Sequence, residues 1–488
     1  MLKDKIHFET LGCKLNQVES EGAARAFVDA GFSVTMEPMT AADASDDSVI
    51  ACVVNTCTVT AKAEQKARRI IRLLLSKFPS SVVIVTGCYA QLNQDDLLAM
   101  DGRIAVLGGQ NKGALADVPS FIKNSSGIDG VGLKNALQSF FDEKRSSSKF
   151  NEITEPFRLS TDTFLNHSRS SLKIQDGCNC VCTYCRIRLA RGKSVSLDAN
   201  SVLDRIISLE ASGQREVVIT TVNIAQYRGK WTDENGNESF VNFAGLLEII
   251  LARTNSIGIR ISSLYPEIVD ERLASLVANP RVRPHFHISV QSGSDAVLSR
   301  MKRPYKIETV YNACSLLKKA KSNPFLACDI IAGFPGESDE DFSLTMKMLA
   351  ECGFTFVHAF PFSARPGTEA YSMRPMIPNN ITDTRIKQLE EFNRKSKTAY
   401  IESFVGKSVR AVCETIHRAN IARGIMLSGN VVVHAVTENF LHCQLVFPAG
   451  STDIPKAGSE ISVRIVRPLT AEERTGESDT LAILETAV

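Results

Sequence analysis

The sequence predicts an α/β protein with an N-terminal doubly wound parallel sheet, a central partial (β/α)6 barrel and a small C-terminal antiparallel β-barrel. Apolar strand-like runs alternate with helical patterns, the alternation resumes as six strand–helix repeats, and short β-rich runs broken by Gly, Pro and Asn follow. A chain of 488 residues is also too long for one core. We expect five segments: 1–123, the sheet domain; 124–165, a linker; 166–404, the central barrel; 405–470, the β-barrel; 471–488, a tail.

In the N-terminal segment, buried-strand runs alternate with helical patterns, an order typical of parallel sheets. The predicted elements are strands at Ile6–Leu11, Ser48–Asn55, Ser81–Thr86 and Arg103–Leu107, and helices at Gln17–Ala30 and Ala61–Phe78. No Gly-x-Gly-x-x-Gly pattern follows the first strand, so the sequence does not support a dinucleotide site. Stretches rich in Gly and Ser then interrupt the pattern and predict the linker.

The central segment contains six strand–helix repeats, fewer than the eight of a complete barrel. Its predicted strands are Leu172–Ile174, Val217–Thr221, Ile257–Ser263, Phe286–Val290, Cys328–Ala332 and Phe356–Phe362. Its predicted helices are Ser201–Ser212, Phe243–Thr254, Ile268–Ala278, Ile307–Lys321, Asp339–Glu351 and Thr384–Phe404, the last of which closes the barrel.

The C-terminal segment has short strands that are typical of a small barrel. They are Ser408–Glu414, Gly429–Ala435, Leu441–Val446 and Glu460–Val466. Residues 404–470 carry seven Lys/Arg and four Asp/Glu, a net charge of +3. This charge is compatible with nucleic-acid binding, and equally with an ordinary solvated surface. We expect the tail after Thr470 to be frayed.

Composition limits the class of protein. Hydrophobic residues are 44% and charged residues 23%, as in globular proteins, and a net charge of +2 indicates little about partners. No apolar run is long enough to span a bilayer, and the N-terminus lacks the apolar core of a signal peptide. We therefore expect a cytoplasmic protein with no membrane contact.

The chain has thirteen cysteines. In a reducing compartment, clustered cysteines indicate metal ligation or catalysis, whereas isolated ones are usually small buried hydrophobic residues. We interpret six as isolated and buried: Cys52, Cys314, Cys328, Cys352, Cys413 and Cys443.

Cys178, Cys182 and Cys185 form a Cys-x3-Cys-x2-Cys pattern directly after the first predicted barrel strand. Active sites form in the loops at the C-terminal ends of barrel strands. Three thiolates hold three irons of a 4Fe–4S cluster, so the fourth iron stays open for S-adenosylmethionine (SAM). One electron from the cluster then cleaves SAM and yields a 5′-deoxyadenosyl radical. A zinc knuckle or a structural cluster is the alternative, and the barrel context favours radical chemistry.

Cys180 lies within the same loop and offers competing ligand spacings. Only Cys178, Cys182 and Cys185 have the spacing of radical SAM enzymes, so we assign these three as catalytic cluster ligands. We interpret Cys180 as a thiol near the cluster or as a site prone to oxidation.

Three other cysteines each follow a predicted parallel strand: Cys13, Cys57 and Cys88. The C-terminal ends of parallel strands share one edge of the sheet, where ligands bind. Gly12 and Gly87 allow the backbone to turn sharply beside a bulky ligand. The sequence therefore predicts a second three-cysteine 4Fe–4S cluster, with three unrelated buried thiols as the alternative.

Motifs along nearly the whole chain resemble the radical SAM methylthiotransferase family. In the N-terminal part they are Phe8-Glu-Thr-Leu-Gly-Cys-Lys-Leu-Asn-Gln17, Asn55-Thr-Cys-Thr-Val-Thr60 and Thr86-Gly-Cys-Tyr-Ala-Gln91. In the barrel they are Leu172-Lys-Ile-Gln-Asp-Gly-Cys178, His287-Ile-Ser-Val-Gln-Ser-Gly-Ser-Asp295, Asp329-Ile-Ile-Ala-Gly-Phe-Pro-Gly-Glu337 and Arg365-Pro-Gly-Thr368.

The resemblance implies insertion of sulfur into an unactivated C–H bond, followed by methylation of that sulfur. One SAM is the radical source, a second is the methyl donor, and the second cluster supplies or carries the sulfur. Gln291 and Ser292 are expected near SAM, and Tyr184 beside its adenine; ordinary barrel packing is the alternative for all three. The C-terminal barrel resembles a TRAM domain, which binds RNA in relatives.

Short sequence motifs that differ between branches of this family predict the branch that the chain resembles. Gly-Cys-Lys-Leu-Asn-Gln and Asn-Thr-Cys-Thr-Val-Thr resemble the branch acting on N6-threonylcarbamoyladenosine, 3′-adjacent to the tRNA anticodon. The isopentenyladenosine branch usually reads Gly-Cys-Gln-Met-Asn, and the branch acting on a ribosomal-protein aspartate reads Gly-Cys-Pro-Lys-Asn. A non-enzymatic iron–sulfur RNA-binding sensor is a further alternative, disfavoured because a sensor needs no open iron.

Three positions depart from the usual family pattern. Cys180 stands in place of Asn, Arg186-Ile-Arg188 in place of Ile-Ile-Pro, and Thr221 in place of Gly. The chemistry also requires an electron donor such as flavodoxin or ferredoxin, and a sulfur source that no motif identifies. We expect the protein to act as a monomer.

Overall fold

In the computed structural model, residues 4–125, 130–146, 152–160, 169–414, 430–448 and 450–485 are described. The N-terminal domain is a five-stranded parallel sheet in the order β2-β1-β3-β4-β5. Its strands are β1 Lys5–Thr10, β2 Ser33–Thr35, β3 Val49–Thr56, β4 Val82–Gly87 and β5 Ile104–Gly108. Nearly every residue of β3 and β4 is buried, because helices cover both faces of the sheet.

The helices of this domain are α1 Lys14–Asp29, α2 Ala61–Lys77, α3 Cys88–Leu92, α4 Gln94–Leu98, α5 Val118–Asn124 and α6 Gly130–Ser146. Helices α1 and α6 pack on one face of the sheet and α2 on the other, which confirms the doubly wound prediction.

Helix α6 lies inside the segment 124–165, so the prediction of a continuous linker there is wrong. Leu133, Leu137 and Phe141 are spaced four residues apart and bury one stripe against the sheet. Gly130 and Gly132, poor helix formers at its start, masked this pattern. Residues 126–129, 147–151 and 161–168 of the predicted linker lie outside the described residues.

The central domain is built on the strands β6 Ser170–Lys173, β7 Gln175–Asp176, β8 Val195–Ser196, β9 Glu216–Thr220, β10 Gly229–Thr232, β11 Glu238–Val241, β12 Gly258–Ile261, β13 Ser263–Leu264, β14 His285–Gln291, β15 Phe325–Ala332 and β16 Phe356–Pro361. Two parallel sheets, β6-β9-β12 and β13-β14-β15-β16, are consecutive along the chain. Because β12 and β13 are halves of one strand interrupted at Ser262, the six strands form the predicted partial barrel.

The helices of the barrel are α7 Ile187–Arg191, α8 Ala199–Ala211, α9 Phe243–Arg253, α10 Glu271–Val277, α11 Asp295–Arg300, α12 Ile307–Ala320, α13 Asp339–Cys352 and α14 Asn379–Glu402. Their apolar faces and the strands form one hydrophobic core. As predicted, α14 ends the domain, where it packs against β16.

The C-terminal domain is a closed barrel in the order β17-β18-β19-β21-β20. Its strands are β17 Ser408–Cys413, β18 Val431–Thr437, β19 His442–Phe447, β20 Glu460–Pro468 and β21 Thr480–Leu484. Strand β21 pairs with both β19 and β20, so the prediction of a frayed tail from residue 471 is wrong. A charged, turn-rich stretch precedes β21, and the strand is too short to show a clear alternation.

Extending this domain to the end of the chain changes its charge. Residues 404–488 carry eight Lys/Arg and nine Asp/Glu, a net charge of −1. Arg418 and Arg423, two of the basic residues behind the +3 argument, lie outside the described residues. Overall charge therefore no longer supports an RNA contact, and any such contact must be local. Within the described ranges, no helix combines the length and hydropathy needed to cross a membrane.

Candidate active site

Cys13, Cys57 and Cys88 lie together at the C-terminal edge of the N-terminal sheet. They follow β1, β3 and β4, which are neighbours in the sheet, and the three thiols interact electrostatically. Gly12 has φ of +103°, and a Cβ there would lie 2.5 Å from Cβ of Cys57. The backbone of Gly12 is therefore packed against the Cys57 side chain, as the predicted close approach requires.

The chemistry of this triad fits an iron–sulfur cluster. Cys57 and Cys88 are buried while Cys13 is exposed, and burial raises the pKa of the Cys57 thiol to about 12. No three Cys, His, Asp or Glu residues in the described part of the chain surround a single metal ion. A cluster differs because each thiolate binds a different iron, and a set of soft thiolates favours such a cluster over a hard cation.

A buried ion network joins the N-terminal domain to the barrel beside this triad. Glu19 accepts hydrogen bonds from Lys173 at 2.8 Å, from Arg191 at 3.0 Å and from Lys112. Asp176 accepts from Lys173 at 2.9 Å and from Arg191 at 2.8 Å. Burial alone would raise the pKa of Glu19, but the three cations hold it well below its usual range. Three cations face two carboxylates, so one positive charge is left in excess next to the thiols.

Asn16 links this network to the strand ends that carry the cysteines. Its side-chain amide donates to the carbonyls of Leu11 at 2.8 Å and Thr56 at 3.1 Å, the residues near Cys13 and Cys57. Its Oδ1 accepts from Nη2 of Arg191 at 2.7 Å. The sequence analysis gave no structural role to Asn16, which lies within the motif around Cys13, or to Arg191, which lies six residues after Cys185.

The barrel loop brings Cys178, Cys182 and Cys185 together between β7 and α7, where the three thiols interact electrostatically. Gly177 has φ of +68°, and a Cβ there would lie 2.0 Å from the carbonyl oxygen of Lys193. Only glycine fits this turn, which sets the direction of the loop. Burial raises the pKa of Cys185 to about 12.

Cys180 lies inside the thiol group rather than apart from it. Its backbone amide donates to the sulfur of Cys178 at 3.4 Å, and hydrogen bonding to Cys180 lowers the pKa of Cys178 and of Cys182 to about 6. Amide groups of Asn223, at 3.4 Å, and Gln226, at 3.1 Å, also contact its sulfur. Cys180 is therefore placed to compete as a ligand, as the spacing argument anticipated.

Arg303 is the nearest cation to the barrel triad and was not predicted. Its Nη1 lies 3.4 Å from the sulfur of Cys182, and its Nη2 donates to the carbonyl of Ser289 at 3.1 Å. The guanidinium is held over the rings of Tyr265, at 4.7 Å, and Tyr305, at 4.9 Å. A fixed positive charge at this point favours the thiolate form.

A cavity of about 850 Å³ lies where the three domains meet. It is lined by Cys13 and Lys14 of the N-terminal domain, Thr220 and Asp329 of the barrel lumen, and Phe440 of the C-terminal barrel. This volume is within the range of sites for cofactors and small ligands. The triad of the N-terminal sheet thus opens, through Cys13, into a space shared by all three domains.

Two family models match separate parts of the chain. The Radical SAM superfamily matches residues 172–349, and the Uncharacterized protein family UPF0004 matches residues 5–109. Each matched range contains one of the two cysteine triads. The chain is also 40% identical to the threonylcarbamoyladenosine tRNA methylthiotransferase MtaB of Treponema pallidum, across 94% of this chain and 98% of that protein. The chain belongs to the radical SAM methylthiotransferase family, in the MtaB branch.

Further relatives also match most of this methylthiotransferase. MtaB of Aquifex aeolicus is 30% identical, over 84% of this chain and 92% of that protein. The tRNA-2-methylthio-N(6)-dimethylallyladenosine synthase of Aromatoleum aromaticum is 28% identical, over 87% and 91%. Among solved structures, the radical SAM methyltransferase TsrM of Kitasatospora setae is 16% identical over 75% of this chain and 77% of that one, with a TM-score of 0.48.

Methylthiotransferases of this family use SAM and two 4Fe–4S clusters. The two triads fit that requirement in number and in donor chemistry. The predicted SAM contacts remain predictions. Gln291 ends β14 with φ of +74°, a backbone conformation that is uncommon outside glycine. Ser292 is buried, and its hydroxyl accepts a hydrogen bond from the Ser294 amide at 3.2 Å. Tyr184 packs edge-on against Phe334 at 6.4 Å.

The departure at Arg186 has a structural explanation in this methylthiotransferase. Its guanidinium donates to Glu64 at 3.2 Å and to Thr58 at 3.3 Å, across the boundary between the barrel and the N-terminal domain. Arg365 donates to the same two side chains. Arg186 therefore helps to hold the domain that carries Cys57, while Arg188 is exposed.

Proposed function

We propose that this methylthiotransferase adds a methylthio group at C2 of N6-threonylcarbamoyladenosine, next to the anticodon of tRNA, to give 2-methylthio-N6-threonylcarbamoyladenosine. The identity of 40% to Treponema MtaB, across nearly the full length of both chains, carries the proposal, because the name of that relative specifies the base. The Gly-Cys-Lys-Leu-Asn motif around Cys13 supports the same branch.

Each domain has a proposed role in this reaction. Cys178, Cys182 and Cys185 of the barrel would hold one cluster, and Cys13, Cys57 and Cys88 of the N-terminal sheet the other. Together with SAM, these groups supply hydrogen abstraction, sulfur and the methyl group. We assign RNA binding to the C-terminal barrel, through local contacts.

Ion pairs between the N-terminal domain and the central barrel hold the two cysteine triads in position relative to each other. Arg191 bridges Glu19 of the N-terminal domain and Asp176 of the barrel, so it links the two domains that carry the triads. Arg186 and Arg365 of the central domain form a second ion-pair contact with the N-terminal domain, at Glu64. Because orientation accounts for much of an enzyme's rate, we propose that these contacts position the sulfur donor against the reacting carbon.

Two other substrates belong to the same chemistry, isopentenyladenosine in tRNA and an aspartate of a ribosomal protein. The dimethylallyladenosine synthase is 28% identical, well below the 40% of Treponema MtaB, which favours the threonylcarbamoyl base. We further propose that a flavodoxin or ferredoxin supplies electrons, and that the enzyme works as a cytoplasmic monomer.

Paired tRNA transcripts, with and without the threonylcarbamoyl group, test the substrate. We expect the reconstituted enzyme to methylthiolate only the modified transcript, as read by nucleoside mass spectrometry. Equal reaction on isopentenyladenosine tRNA, or product only on a ribosomal protein, would contradict the proposed base while leaving the two-cluster chemistry intact.

Among the residues that the structure describes, the C-terminal barrel has few cations that are not already paired with a carboxylate. Three of its arginines are paired with glutamates, as Arg410–Glu438, Arg464–Glu485 and Arg467–Glu473. Lys407 and Lys456 are exposed and form no ion pair with a described residue. If they contact phosphates, the double variant Lys407→Gln, Lys456→Gln should bind tRNA more weakly. The slope of the logarithm of the binding constant against the logarithm of the salt concentration should become shallower by about 0.7–0.9 for each lost contact.

Deleting the whole barrel is a poorer experiment, since it would expose Phe325 and Tyr400 of the central domain, which pack against it. The matched control is Lys318→Gln with Lys319→Gln, two exposed lysines on α12. We expect this control to keep the wild-type salt slope. A slope unchanged in the barrel variant would remove these two lysines from the RNA interface.

A further inference from the structure

The central cavity contains buried polar atoms that the protein leaves without hydrogen bonds. Five such atoms among the described residues belong to side chains that line it: Nη1 of Arg169, Oγ1 of Thr221, Oγ of Ser262, Nδ1 of His285 and Nε2 of His287. The last of these lies 3.0 Å from the carboxylate of Asp329, so four remain without any partner. Buried polar groups normally have partners, because an unmade hydrogen bond costs about 1–3 kcal/mol. Their concentration around one cavity indicates that a polar ligand completes them.

Two cations lie around the ring of Phe440, a residue that lines this cavity. The ammonium of Lys14 lies 6.0 Å from the ring centre and the guanidinium of Arg260 5.4 Å, while His285 stacks on it at 3.9 Å. Phe440 has φ of +66°, a rare conformation for a bulky side chain. Strain of this kind persists where the surroundings hold it, and it is often found at ligand sites.

Lys14 differs from Arg260 and Arg169, each of which has a carboxylate within hydrogen-bond distance. Arg260 donates to Glu216 at 2.7 and 3.1 Å, and Arg169 donates to Glu414 at 3.1 Å. Lys14 forms no hydrogen bond or ion pair with any residue that the structure describes, and Glu216 and Glu477 attract it only at longer range. A lysine that faces a cavity beside orphaned donors is suited to an anionic ligand.

Lys14 lies beside the cysteine triad that the reacting base is expected to approach. It directly follows Cys13, so a base that approaches this triad brings its substituents next to the ammonium. The threonylcarbamoyl group carries a carboxylate, which an ammonium can pair with.

We propose that Lys14 is a specificity-determining residue that pairs with the carboxylate of the threonylcarbamoyl group, in a pocket shared with Arg169 and His285. This inference rests on the proposed function. It places the acidic arm of the base in the cavity between the three domains. Phosphates of the RNA backbone remain outside this pocket, at the protein surface.

A double-mutant cycle on binding tests the pairing. Anticodon stem–loop RNAs carry N6-threonylcarbamoyladenosine, its threonine amide, or unmodified adenosine, and dissociation constants are measured by fluorescence anisotropy at one salt concentration. Wild-type protein should bind the acid about tenfold or more tightly than the amide, the size of one charged hydrogen bond. Lys14→Gln should reduce that preference to about twofold or less and leave the affinity for the amide unchanged.

Lys123→Gln is the matched control, because Lys123 is an exposed lysine that also lies over a phenylalanine ring, that of Phe32 at 5.7 Å. It should keep the wild-type preference. A preference that survives in Lys14→Gln, or an equal loss of affinity for the acid and amide RNAs, overturns the inference. If wild-type protein does not distinguish either modified RNA from unmodified adenosine, the proposed function itself fails.

Discussion

Replacing Cys13, Cys57 and Cys88 together by alanine is expected to halve the iron of anaerobically reconstituted protein, from about eight atoms to about four. The two triads lie on different domains, and the barrel loop keeps its own contacts with Asn223 and Arg303. Reductive SAM cleavage should therefore continue in the variant. The methylthio product should vanish, because the second cluster is the proposed source or carrier of sulfur.

Iron assay, 5′-deoxyadenosine release and nucleoside mass spectrometry give the three readouts. Cys52→Ala is the matched control, since Cys52 is buried in β3 but contacts Ser81, at 3.6 Å, rather than the triad. It should keep about eight irons. Unchanged iron in the triple variant would contradict the assignment of the second cluster.

Cys182→Ala is expected to abolish 5′-deoxyadenosine formation, while Cys180→Ala should keep most of it. Only Cys178, Cys182 and Cys185 have the spacing that leaves one iron open to SAM. The contrast is a stringent test because Cys180 lies in the same loop, where its backbone amide donates to the sulfur of Cys178 at 3.4 Å. Removing Cys180 deletes a competing thiol, whereas removing Cys182 deletes a ligand.

The measurement is 5′-deoxyadenosine released per enzyme under dithionite, with iron content determined on the same samples. Cys328→Ala, which changes a buried cysteine of β15 outside the triads, is a control for the loss of a thiol. If Cys180→Ala is as inactive as Cys182→Ala, the assignment of ligands in this loop is wrong.

Local patterns were enough to predict the order of the two α/β domains and the position of both triads. Buried-strand runs such as Val49–Thr56 and Val82–Gly87 have a strong signal, because helices cover both faces of a parallel sheet. Each of these strands is followed directly by a cysteine. Because parallel strands end at the same edge of a sheet, the sequence alone predicted that these thiols lie close together.

Contacts between distant segments were not predictable in the same way. Arg191 and Glu19 are separated by 172 residues, and only the docking of two domains brings them together. The short strand β21 gains its stability by pairing with β19 and β20, so no pattern within Thr480–Leu484 revealed it. The charge argument for RNA binding failed for the same reason, since it omitted the acidic residues before β21.

The most direct test of the two-cluster, threonylcarbamoyl-specific account is nucleoside mass spectrometry of tRNA from cells that lack this protein. The account predicts that 2-methylthio-N6-threonylcarbamoyladenosine disappears and N6-threonylcarbamoyladenosine accumulates, while methylthiolated isopentenyladenosine is unchanged. The wild-type gene should restore the product, and the gene with Cys13, Cys57 and Cys88 replaced should not. Undiminished 2-methylthio-N6-threonylcarbamoyladenosine in those cells, with loss of a methylthio group elsewhere, would contradict the account.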